Sequence, residues 1–407
     1  MTELDQKIRE EFPVLKNSEL VYLDNGATSQ RPQCVIDAVS AFYETKNANP
    51  MRGLYELSYA ATEAFEEGRT LAAEFIGAKE PETLIFTRNA TESLNLVSYS
   101  YAESVLKEGD EIIVSIAEHH SNFLPWKRVA EKTGAKILFY ECEPNGKFIP
   151  EKLEALVSER TKLLCMTQVS NIFGRINDIK TMASIIHKAG GVIVVDGAQS
   201  VPHIPVDVTE LDVDFLAFSG HKMFAPMGVG ILYGKRELLE KMPPFLYGGE
   251  MIEYVFKDRV KYAGLPHKFE AGTVNAGGAV GLAAAIRFMK SYGWETITKR
   301  EDALTKLCVE EIRKVPHVHL IGDEDWEQHH GMITFTIDDV HPHDVSAIFD
   351  ANGIAVRAGH HCAQPLHKHL GLFSTTRASL AFYNNEDEIR KFIEVLSGIR
   401  RQMGFGE

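Results

Sequence analysis

What this chain of 407 residues lacks already narrows its function. No apolar run approaches membrane-spanning length, and Met1 to Glu11 is charged throughout without the apolar core of a signal peptide, so a cytoplasmic protein is expected. Its five cysteines, Cys34, Cys142, Cys165, Cys308 and Cys362, are widely spaced and include no C-x-x-C pair, which argues against a disulfide framework or a zinc ribbon and fits a reducing compartment. Basic charge is in deficit: 43 Lys and Arg stand against 57 Asp and Glu, a net −14, and no basic cluster interrupts the acidic background. Neither nucleic acid nor an anionic membrane is therefore an expected partner. Low-complexity tracts and solenoid repeats are missing too, and the length calls for a large unit plus a smaller one.

What is present is alternation. Leu84 to Phe86, Ile112 to Val114, Ile137 to Phe139, Leu163 to Met166, Val192 to Val195, Phe215 to Phe218 and Val229 to Tyr233 are short apolar runs, read as strands buried on both faces. Helical patterns separate most of them, such as Phe65, Leu71, Ala72, Phe75 and Ile76 ending at Gly77. Connections of that length predict a largely parallel sheet with helices on both sides and ligands at the strands' carboxyl ends. Between Pro243 and Thr273 the pattern loosens into what reads as loop. Helices at Ala279 to Met289 and Glu295 to Val315, a strand at Met332 to Ile337, a helix at His343 to Ala351, a strand at Ile354 to Arg357 and a terminal helix at Glu386 to Arg401 compose a smaller α/β unit. The expected partition is 19–286 for the large unit and 287–407, with 1–18, for the small one.

Polar clusters end several of the expected strands. Lys222 follows Phe215 to Phe218 through Ser219-Gly220-His221, and Asp196 ends Val192 to Val195; a lysine there can form a Schiff base, and a carboxylate can hold a pyridine nitrogen protonated. Thr87 to Ser93 opens a helix, where amides and hydroxyls such as Thr91 suit a phosphate, with Ser219 and His221 beside them. His119 can stack on a ring and move protons, while Asn171 and Gln199 offer amides to a cofactor oxygen. Each has a plainer reading as a cap, a packed imidazole or a solvated cation. Their convergence on one sheet edge outweighs those readings.

Glu118-His119-His120, Ser170-Asn171, Asp196-Gly197-Ala198-Gln199, Ser219-Gly220-His221-Lys222 and Arg357-Ala358-Gly359-His360-His361-Cys362 together resemble class V, fold-type I pyridoxal phosphate enzymes. More narrowly they resemble the SUF-type, group II cysteine desulfurases and selenocysteine lyases, in order from Tyr22-Leu23-Asp24-Asn25 to Arg377-Ala378-Ser379. The resemblance implies an α/β fold-type I transferase using pyridoxal 5'-phosphate, with Lys222 as its Schiff-base lysine, Asp196 on the pyridinium nitrogen and His119 on the ring. Gln199 and Asn171 would lie near the phenolic oxygen, and Thr91, Ser219 and His221 would hold phosphate. Thr273, in Glu270-Ala271-Gly272-Thr273, would complete the phosphate site of a partner in a homodimer. Arg377 would pair with the substrate carboxylate, with Arg357 beside it and Asn171 as a further contact.

Cys362 selects among reactions, because it sits in a polar loop between His360-His361 and Ala363-Gln364-Pro365, whereas the other four cysteines read as packing residues. The implied activity takes L-cysteine, or L-selenocysteine, to L-alanine with a persulfide on Cys362. The sulfur would then pass to a SUF-type acceptor, zinc-containing for some members, for iron-sulfur cluster assembly. A metal site of His360, His361 and Cys362 ranks lower, since adjacent side chains rarely converge on one ion; other rivals are a different elimination or transamination, or a non-catalytic scaffold. The chain departs from the family at Met51 and Tyr55, where histidines are usual, and at Asn89-Ala90, where Gly-Thr is usual.

Overall fold

The structure, a computed structural model, describes residues 2–405; Met1, Gly406 and Glu407, which fall in the expected smaller unit, lie outside the described residues. A seven-stranded sheet runs in the spatial order Leu84–Thr87, Gly230–Gly234, Phe215–Ser219, Val192–Asp196, Thr161–Thr167, Glu111–Ser115, Lys136–Tyr140. Only Gly230–Gly234 opposes the rest, pairing antiparallel with both neighbours. The central runs are apolar at every position because both faces are covered. Ile113, Leu164, Val195 and Leu216 enter one core, and Ile112, Val114, Leu163, Val194 and Ala217 the other. Gly230 allows a close approach that no other residue permits: a Cβ there would stand 2.5 Å from the Asn89 Cα, at the turn that opens the helix Ala90–Leu96.

The second sheet has four antiparallel strands, in the order Val318–Leu320, Met332–Ile337, Thr375–Ser379, Arg357–Gly359. Its register places Arg357 opposite Arg377. The N-terminal segment packs into the cores of both sheets. Ile8, Phe12 and Leu15 lie in a core with Phe224 and Phe288, while Val21 and Leu23 pack against Phe335 and Ile354, and Val21–Tyr22 pairs with Ile354–Ala355. The stretch expected as loop holds an antiparallel hairpin, Ile252–Val255 with Val260–Tyr262. Its side chains are mostly exposed, so the burial that makes a strand legible is missing. Among the described residues no helix is long and apolar enough to cross a membrane.

One buried ion pair fixes the segment leading to Thr273. The Arg69 guanidinium donates to both Glu270 carboxylate oxygens, at 2.7 and 2.8 Å, and Glu270 also accepts the Phe86 amide at 2.7 Å. Burial alone would raise the Glu270 carboxyl, but Arg69 and these hydrogen bonds hold it down to about 2. A depressed folded value means stability that is present above the ordinary 4.5 and is lost as pH falls toward 2. Glu270→Ala should cost about 3 kcal/mol by leaving the buried Arg69 without its buried partner and with only the more exposed Glu66 opposite it, read as a lower denaturant midpoint at pH 7 and a smaller difference from wild type at pH 3.

Candidate active site

A cleft opens where the carboxyl ends of the central strands meet the strands Arg357–Gly359 and Thr375–Ser379, as strand-end placement predicts. Asp196, Ser219 and Lys222 line it from the large sheet, Thr91 and His119 from flanking turns, and Asn171 from a third turn. Arg357, Cys362 and Arg377 line it from the opposite side. These nine of the residues proposed from sequence thus come together with His221, which borders the same cleft.

Lys222 ends a single 3-10 turn directly after the strand Phe215–Ser219, which aims it over the sheet edge. Burial pulls its amine down to about 8, against the attraction of Asp196 and with help from the Arg377 and Arg357 guanidinia. Asp196 is buried, which raises its carboxyl, while Lys222 and the Ala198 amide, donating to Oδ1 at 2.9 Å, work the other way. His119 is neutral: burial, then the charge of Lys222, depress it to about 3. Its Nδ1 accepts the Ser121 amide at 3.1 Å, so its proton sits on Nε2.

The donor set fits pyridoxal phosphate. Asp196 supplies a buried carboxylate for a ring nitrogen, and Lys222 an amine whose unprotonated form is accessible near neutrality. Ser219 Oγ accepts the Ala90 amide at 2.8 Å, leaving the hydroxyl hydrogen for a phosphate oxygen. Thr91 Oγ1 lies 2.7 Å from Ser121 Oγ, which in turn lies 3.0 Å from His119 Nδ1, so the Thr91 hydroxyl at the cleft is tied to the His119 ring through Ser121. His221, depressed to about 4 by burial and by Lys222 and Arg31, lies 3.3 Å from the Thr28 hydroxyl through Nδ1.

Two proposed residues do not line this cleft, although Gln199 is hydrogen-bonded to Gly26, which does. Gln199 is buried, donates from Nε2 to the Gly26 carbonyl at 2.8 Å, and is absent from the cleft lining, while its Oε1 has no partner. Thr273 is exposed and borders a separate concavity with Phe86, Thr87 and Arg88. Met51 and Tyr55 also lie outside this cleft.

Arg377 is 2% exposed; its Nη1 donates to the Asn171 carbonyl at 2.9 Å, Nη2 reaches Asp24 Oδ1 at 3.4 Å, and Nε has no partner. Burial pulls even this guanidinium down to about 10, against the attraction of Asp24. Such a fork, only loosely held by one acid, is suited to a ligand carboxylate. Asp24, which sequence reasoning did not single out, stands between Arg377 and Arg357, the latter at 4.0 Å. Burial raises its carboxyl and both guanidinia oppose that.

Cys362 is half-buried at the cleft, and both it and His361 adopt positive φ, 58° and 50°. Left-handed backbone at two successive non-glycine residues is strained and must be held by its surroundings. The His120 amide donates to the Cys362 carbonyl at 2.7 Å and Asn171 Nδ2 to the His361 carbonyl at 2.9 Å. Cys142, Cys165 and Cys308 are buried with thiols pushed up by burial. Cys34, expected as a packing residue, is instead exposed, because it sits one residue into the helix Gln33–Thr45 with its side chain outside the core. Among the described residues no three His, Cys, Asp or Glu side chains converge as metal ligands; His360 packs against His367 and Phe373.

The family model described as aminotransferase class-V matches residues 21–392. A probable cysteine desulfurase of Halalkalibacterium halodurans is 44% identical over 402 residues, covering 98% of this chain and 98% of that protein. A cysteine desulfurase of Haloferax volcanii is 39% identical over 410 residues, covering 97% and 96%. Among solved structures, the apo cysteine desulfurase of Thermococcus onnurineus superposes with a TM-score of 0.94 at 39% identity over 98% of each chain. The Escherichia coli cysteine desulfurase CsdA does so at 0.91 and 37%, again over 98% of each. With the strand-end lysine, its buried carboxylate partner and a match across both sheets, the chain belongs to the class-V aminotransferase family, whose members use pyridoxal phosphate.

Proposed function

We propose that the protein is a cysteine desulfurase that moves sulfur from L-cysteine to Cys362 and releases L-alanine. The observation that carries this reading is a half-exposed cysteine, in strained backbone, on the same cleft as Lys222 and the buried Arg377. Pyridoxal phosphate, when bound, supplies the electron sink for bond breaking at an amino acid's carbon frame. Asp196 would hold its ring nitrogen, His119 its ring face, Asn171 and Gln199 the side of its phenolic oxygen, and Thr91, Ser219 and His221 its phosphate. Lys222 would carry it covalently and, once freed, take the substrate's Cα proton. Arg377, assisted by Arg357, would fix the substrate carboxylate. The Cys362 thiolate then attacks the substrate sulfur: a sulfur–sulfur bond forms, the carbon–sulfur bond breaks, its electron pair stays with carbon, and Lys222 and His119 deliver the protons that complete alanine.

A homodimer is part of the reading. Thr273 lies outside its own cleft, and Leu54, 90% exposed, stands near exposed Tyr55 in an apolar stretch of the kind that partners cover. Thr273 would complete the partner's phosphate site. Residues 19–286 would form the cofactor-binding unit, and 287–407 with 1–18 the unit carrying the cysteine loop. The acceptor would be a SUF-type protein, zinc-containing or not, feeding iron-sulfur cluster assembly in the cytoplasm, where five unpaired cysteines are stable. The test is direct: load the purified protein with cofactor, add L-cysteine, and measure alanine and protein-bound sulfane with and without acceptor. L-Selenocysteine run beside it decides between the two substrates, and no alanine from either rejects the reading.

A further inference from the structure

A chain of hydrogen bonds closes around Cys362, and its proton positions have one solution. His367 Nδ1 lies 3.0 Å from the Ala363 carbonyl oxygen, which can only accept, so Nδ1 carries the proton and Nε2 of the neutral ring is an acceptor. Facing that Nε2 at 3.0 Å is the Thr375 hydroxyl, which must therefore donate. With its only hydrogen spent, Thr375 Oγ1 accepts from His361 Nε2 at 3.0 Å, and the same N–H lies 3.2 Å from the Thr375 carbonyl. Burial keeps both imidazoles neutral, with the Arg377 charge adding to the effect at His361. Thr375 itself is wholly buried.

Both ends of this chain fall on the immediate neighbours of Cys362, the His361 side chain before it and the Ala363 carbonyl after it. Its middle member sits on the strand Thr375–Ser379, two residues before Arg377. Building on the desulfurase reading, we propose that Thr375 is a positioning residue: its hydroxyl, through His361 and His367, staples the Cys362 loop to the strand that bears the substrate-carboxylate arginine and so sets the thiol in register with the substrate. The strained backbone at His361 and Cys362 makes such a staple necessary, since an untied loop relaxes toward ordinary φ values.

Thr375→Val removes the hydroxyl and keeps the shape, while Thr375→Ser keeps the hydroxyl. In cofactor-loaded protein, T375V is expected to lower kcat for alanine release on the order of tenfold with KM changed by less than about twofold, and T375S to stay within about twofold of wild type. Without substrate, iodoacetamide should label Cys362 several-fold faster in T375V, followed on the Cys362 peptide by mass. His367→Phe cuts the far link and should reproduce both changes, which keeps the proposal testable where T375V does not fold. Wild-type kcat and labelling in T375V, or a loss in T375S equal to that in T375V, overturns the staple. A wild-type protein that releases no alanine rejects the desulfurase reading alone, because the labelling comparison needs no turnover.

Discussion

Alanine in place of Lys222 is expected to lower alanine release from L-cysteine by on the order of 10³-fold or more. A positioned general base contributes roughly 10²–10⁴-fold by itself, and the covalent hold on the cofactor is lost with it. Lys222 suits that work because burial and two guanidinia bring its amine down to about 8, so an unprotonated fraction exists near neutral pH, where an ordinary lysine offers almost none. The same substitution removes the nearby positive charge that favours ionised Asp196, so the carboxyl there should rise further. Steady-state alanine formation, with circular dichroism to verify the fold, checks the result; turnover within tenfold of wild type would remove Lys222 from the chemistry.

The second large effect is expected at Cys362. Cys362→Ala should reduce alanine release by on the order of 10³-fold or more, as removal of a nucleophile commonly does, while the cofactor's visible absorption is kept. The split follows from the structure. Asp196, Ser219 and Lys222 belong to the large sheet and its strand ends, whereas Cys362 belongs to a loop held by His120, Asn171 and the Thr375 chain. Cys34→Ala is the matched control and should leave turnover unchanged, since that thiol is exposed on a helix away from the cleft.

Much of this was legible from residue order. The strands Glu111–Ser115, Val192–Asp196 and Phe215–Ser219 are apolar on both faces, so their runs stand out, and the residues that end them fall at one sheet edge by topology alone. The strand Thr375–Ser379 was not legible. Its Thr-Thr-Arg-Ala-Ser has no apolar period, yet it is buried throughout, because its polar groups find partners: Thr375 with two imidazoles, Arg377 with Asn171, and Ser379 Oγ accepting the Gly26 amide. Such a strand is recognised only once those partners are in place. Asp24 was hidden for a related reason, since its pairing with Arg377 spans 353 residues and leaves no local pattern. The hairpin Ile252–Val255 with Val260–Tyr262 escaped for the opposite reason, having too little burial to impose a period.

The central claim is that sulfur from L-cysteine comes to rest on Cys362. Incubating cofactor-loaded protein with L-cysteine, without reductant or acceptor, and mapping its peptides by mass tests this most directly. The expected result is one added sulfur atom on the peptide containing Cys362, removable by reductant and matched by an equal amount of alanine in the first turnover. Added sulfur on the Cys34 peptide instead, or alanine formed with free sulfide and an unmodified Cys362, would contradict it.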